Sequence, residues 1–140
     1  MMPPIDELHP LLVHFPIALY STAVLWEFIG FIRRSNSLLT VGWWNMVLAQ
    51  IAVVFTIITG FIADSLMGHM DKPFPIFTTH GSLQLVAVVW FGVAFIFRWK
   101  KLKNLSDTNS FPWGYLLFLG MGVLILFYGS HLGAKLANRI

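Results

Sequence analysis

The sequence predicts an all-α protein, an integral membrane four-helix bundle with both termini outside (N-out, C-out), and three observations carry that prediction. Hydrophobic residues make up 57% of the 140 residues and charged residues only 11%, whereas a soluble domain is about a quarter charged. Apolar runs recur four times, each meeting the need for roughly 20 such residues to cross about 30 Å of hydrocarbon. The basic residues gather in the connections that follow the first and third runs. A single four-span transmembrane domain, residues 1–140, accounts for the whole chain.

The first span covers residues 10–32 and opens with "HPLLVHFP", two histidines and two prolines in eight residues. Pro16 inside a helix frees the Leu12 carbonyl and bends the chain. Two forms follow: a kinked helix that begins near His9, or a short re-entrant segment with the spanning helix starting at Pro16. The N-terminal residues include Asp6 and Glu7 where a cleaved secretory leader carries Lys or Arg, so the first span is expected to be retained. The second span covers residues 38–67, the third 74–97 and the fourth 112–137. No internal repeat stands out among the residue identities.

Cysteine is absent, which excludes disulfides, thiolate metal sites, covalent c-type haem and cysteine nucleophiles. The net charge of +3 does not indicate nucleic acid, because the basic residues flank spans, where they set topology. Arg33, Arg34, Arg98, Lys100, Lys101 and Lys103 follow the first and third spans, against Lys72, Lys135 and Arg139 on the other side. By the positive-inside rule the former group is cytoplasmic.

All five histidines then fall on the outer side. At 1.5 Å per residue His14, His80 and His131 sit about 6–9 Å inside their span ends, and Asp64 is one turn before the end of the second span. One polar group per helix at similar depth reads as a shared site, since an ionisable group within a span is a functional candidate by default. The bland alternative is a structural subunit whose histidines hydrogen-bond helix ends.

Two ligand types suit the set. A b-type haem takes two facing imidazoles, drawn from His14, His80 and His131, with low-bulk surface at Gly60, Gly129 and Gly133 for the porphyrin. A zinc or copper ion takes three or four of His14, Asp64, His80 and His131. The pattern Gly129-Ser-His-Leu-Gly133 reads equally well as close helix packing. His9 lies about 140° around the helix from His14, so it is expected to orient the first segment or to contact a partner. Gln84, one turn from His80, holds the second nitrogen of that histidine or acts as interhelical glue. Glu27 is expected to pair with Arg98 or Asn45. With no histidine in the inner half, one haem per chain is expected.

The segments "HPLLVHFPIAL", "TGFIAD", "TTHGSLQ" and "HLGAKL" together resemble the bacterial family of small predicted membrane proteins called DUF2231, over essentially the whole chain. The family pattern matches His9, Pro10, His14, Pro16, Gly60, Asp64, His80 and Gly133. The closing segment departs from it: residues 133–138 read "GAKLAN" where the family has an aromatic residue at the end. Relatives fused to c-type cytochrome domains imply redox work on the outer face. The resemblance therefore implies a multi-pass protein of the bacterial inner membrane. It would bind haem b, contact lipid and exchange electrons with a periplasmic c-type cytochrome or similar partner. It would be an electron-transfer or binding protein rather than a catalyst, with an oligomer left open.

The topology can be measured directly. A reporter that works only in the cytoplasm should be active when inserted after Arg34 or Lys103 and silent at the C-terminus. An active C-terminal fusion would invert the map.

Overall fold

The structure, a computed structural model, describes residues 5–67, 80–101 and 113–136, with side chains for 9–62, 80–100 and 113–135. These residues form four helices: α1 (Ile5–Ile32), α2 (Asn36–Met67), α3 (His80–Lys101) and α4 (Trp113–Leu136). Each contains a stretch long and apolar enough to cross a membrane: His9–Ile32, Asn36–Ile62, His80–Lys100 and Trp113–Lys135. The expected all-α four-span bundle is what forms. The third span was expected from residue 74, but α3 starts at His80, and residues 68–79 lie outside the described residues.

α1 runs unbroken through Pro10 and Pro16, so the re-entrant form is not the one adopted. Pro16 is buried; its ring adds apolar bulk to the interior while its missing N–H leaves the Leu12 carbonyl without the usual helical donor.

Packing is organised as two hairpins. α1 packs along α2 and α3 along α4, while α1 also meets α4 and α2 meets α3, which leaves α1 and α3 on a diagonal. Two contacts cross that diagonal. Tyr20 stacks on Phe91 with ring centroids 4.0 Å apart, and Arg98 Nε donates to Glu27 Oε1 at 3.0 Å. Both join residues 71 apart in sequence. The same offset relates the buried Pro16 to Ala87 and Ala23 to Ala94. α1 and α3 thus present one inward pattern twice, a repeat that residue identities conceal because Glu27 answers to Arg98 and Tyr20 to Phe91.

The ion pair is well enclosed. Glu27 is 0% and Arg98 5% exposed, and the guanidinium also donates through Nη2 to the Leu39 carbonyl at 3.4 Å. It stands 6.0 Å from the centroid of the Trp43 ring, and the Tyr115 hydroxyl lies beside the carboxylate. Gly42 makes room for the carboxylate arm: a Cβ there would sit 2.6 Å from Glu27 Cγ. The expected pairing of Glu27 is therefore found, with Arg98 as the partner.

The C-terminus of α1 closes by backbone bonds, and Ser35 Oγ accepts from Leu38 N at 3.5 Å where α2 begins. Ser35 N donates to Gly30 O at 2.8 Å and Arg34 N to Phe31 O at 3.1 Å, the two bonds of a Schellman motif. Arg34 occupies its left-handed position, with φ of 49°. A side chain there costs roughly 1 kcal/mol relative to glycine.

Removing one partner of a buried pair strands the other charge. Arg98→Met should lower stability by roughly 3 kcal/mol or more, read from unfolding of the purified protein in denaturing detergent. The double variant Glu27→Leu/Arg98→Met should recover most of the loss, because it leaves no uncompensated charge. A single variant as stable as the parent would mean that the pair does not tie α1 to α3.

Candidate functional site

At the end of the bundle opposite Arg98, the first turns of α1 and α3 meet the last turns of α2 and α4. His9 and His80 stand at the same 71-residue offset as the ion pair, and each is half-buried. Each lies 18 residues, or five full helical turns, before the charged residue of its own helix. They are near enough for a charge on one to act on the other.

Each imidazole rests on a glycine of its own hairpin. A Cβ at Gly60 would come within 3.0 Å of His9 Cε1, and a Cβ at Gly133 within 2.6 Å of His80 Nδ1. The low bulk expected at these glycines is present, but it is the histidine rings that fill it. Gly129 serves close packing in the same way, facing Leu83 and Gln84.

Hydrogen bonding fixes the ring nitrogens. His80 Nδ1 lies 2.6 Å from the Gly129 carbonyl. A carbonyl only accepts, so Nδ1 carries a proton and donates. His9 Nδ1 lies 3.3 Å from Thr59 Oγ1. That hydroxyl spends its proton on the carbonyls of Phe55 at 3.0 Å and Thr56 at 3.1 Å, which leaves it an acceptor for His9. The Thr56 carbonyl also acts on the ring. In both histidines the bond given to the ring runs through Nδ1, the anchoring arrangement also found in metal-ligating histidines.

Gln84 acts as the glue rather than as a partner of His80: its Nε2 donates to Ser130 Oγ at 3.2 Å and to the Leu126 carbonyl at 3.4 Å. Ser130 returns a bond to the same carbonyl at 2.8 Å.

The structure places the sequence-predicted residues as follows. Of His14, His80 and His131, only His80 is turned inward; His14 and His131 are exposed. The inward histidine of α1 is His9, on the face about 140° away from His14. The expectation that His9 faces away from the interior is corrected here, because α1 turns the stripe of Pro16, Tyr20, Ala23 and Glu27 inward and His9 continues it. The side chain of Asp64, and His69 altogether, lie outside the described residues. Among the described residues no three His, Cys, Asp or Glu side chains gather where a metal ion would sit.

A family model described as "Predicted membrane protein (DUF2231)" matches residues 5–140. No curated protein and no solved structure matches the chain.

The seat of His80 predicts a separable effect. In nitrogen NMR of histidine-labelled protein, His9 and His80 should both show Nδ1-protonated rings. Gly133→Val should remove the His80 signature and spare that of His9, and Thr59→Val should do the converse. Loss of both signatures from either substitution would mean that the rings are not held separately by their own hairpins.

Proposed function

We propose that this chain, which belongs to the DUF2231 family of predicted membrane proteins, binds a b-type haem between His9 and His80 and passes single electrons to or from a redox partner. The observation that carries the reading is the imidazole pair itself. Two rings on diagonal helices are each anchored through Nδ1 to acceptors at the end of their own hairpin, and on this reading the Nε2 of each would hold the iron. Two imidazoles complete the axial set of a low-spin haem, and bundle cores place such ligands on facing helices. The repeated inward pattern supports the same reading, since a bis-imidazole iron suits two equivalent halves. A zinc ion would need one or two further ligands.

When bound, the haem supplies a one-electron couple. The chain's own part is to hold both rings in position: Gly129 orients His80, Thr59 orients His9, and Gly60 and Gly133 let the rings lie close to α2 and α4. The basic residues Arg33, Arg34 and Lys100 lie at the opposite end, so the positive-inside rule puts the histidine end on the outer face. In a bacterial inner membrane that face meets periplasmic partners such as c-type cytochromes.

A visible spectrum decides it. Protein purified with haem should show a Soret band and a low-spin spectrum. His9→Ala and His80→Ala should each abolish the low-spin form, and His14→Ala and His131→Ala should leave it intact. If His14→Ala abolishes it instead, the ligand assignment fails. If the parent binds no haem but carries a stoichiometric transition metal, the site is a metal centre and the haem reading is wrong.

A further inference from the structure

The end of the bundle away from the histidines carries an unexplained choice of residue. The turn after α1 is a Schellman motif whose left-handed position holds Arg34, φ 49°, where glycine is the relaxed choice. The guanidinium is not required to close the helix, because Gly30 and Phe31 receive their bonds from backbone N–H groups. Nor does it serve an ion pair within the bundle: Arg33 and Arg34 are exposed, and among the described residues neither has a carboxylate partner. Among the described residues, two adjacent cations therefore stand without a carboxylate partner at a helix end, one of them on a strained backbone.

Their depth is marked by tryptophan. Trp113 packs edge-on against Phe31 at 4.7 Å between ring centroids, one turn before Arg34, and is 59% exposed. Exposed tryptophans at span ends sit at headgroup level. At that level the abundant anion is a phospholipid headgroup, and juxtamembrane arginines are drawn to it.

We propose that the α1–α2 turn binds the headgroup of an anionic phospholipid, with Arg33 and Arg34 as its cationic contacts and Trp113 beside them at the acyl–headgroup boundary. Binding to phosphate offsets the strain at Arg34, which explains why arginine rather than glycine stands there.

The test uses the full chain in detergent, titrated with phosphatidylglycerol or phosphatidylcholine and read by native mass spectrometry. The parent should retain phosphatidylglycerol in preference. R34G should lower that preference about fivefold, the worth of one arginine at a membrane surface. R34K, which keeps the charge, should retain most of it. In phosphatidylcholine alone R34G should unfold a few degrees higher than the parent, because the strain is relieved. The proposal is overturned if R34G keeps the full preference, if it unfolds lower than the parent, or if inorganic phosphate displaces phosphatidylglycerol at equal concentration. A C-terminal reporter that changes sides in R34G would also overturn it, by making Arg34 a determinant of orientation instead.

Discussion

A glutamate and an arginine buried inside the bundle have to find each other, and that requirement sets its geometry. Neither group can be left unpaired at such depth without a cost of several kcal/mol. Glu27 and Arg98 sit on diagonal helices, and their contact fixes how far α1 is slid along α3. Once that slide is set, Tyr20 must stack on Phe91, and five turns further on His9 must stand opposite His80. The pair stabilises little beyond what an apolar pair of equal size would. Its effect is on specificity, since at the equivalent positions of the two hairpins like charges would repel, while opposite charges favour pairing of the unlike halves.

Within that frame the remaining polar groups divide into those that answer their own helix and those that reach across. Ser21, Thr22, Thr40, Thr56 and Ser130 each bond the carbonyl four residues back, so their hydroxyls are satisfied locally and say nothing about a site. Gln84, His80 and His9 reach another helix. These three do so at the histidine end, where glycines let the partner helix approach, while Trp90 Nε1 donates to the Phe118 carbonyl of α4 nearer the middle of the bundle. The core between the two ends sets small residues, Ala23, Ala49, Ala87 and Ala94, among large ones such as Tyr20, Leu39, Met46, Phe91 and Leu119. Small residues permit the close backbone approach that replaces hydrophobic driving force inside lipid.

The spans and the ion pair were legible in the sequence because they depend on composition and on the cost of burying charge. The rotation of α1 was not. In a soluble helix the apolar stripe marks the inward face, but here the outward face is equally apolar, and Leu11 and Phe15 are both exposed large hydrophobics. Periodicity therefore gave the 140° angle between His9 and His14 without saying which of them faces in. A phase reference was present all the same. Glu27 had to be buried, and counting five full turns back from it reaches His9, just as five turns back from Arg98 reaches His80. The concealed repeat has the same origin: it is a repeat of inward positions, and residue identities preserve it at His9/His80, Leu12/Leu83 and Ala23/Ala94.

The two ends of the diagonal differ in chemical completeness. At the arginine end, Glu27 and Arg98 neutralise each other, and the guanidinium takes the Leu39 carbonyl as well; the cluster's charges are compensated inside the protein. At the histidine end the Nδ1 atoms are bonded within the protein, while the Nε2 atoms are not needed by any of those bonds. A structural role for His9 and His80 would be met by Nδ1 alone, and it would not call for two rings anchored alike at equivalent positions of two hairpins. On the proposed reading, two such rings at equivalent positions are the place to look for a bound ligand, rather than the buried charges, which already satisfy each other.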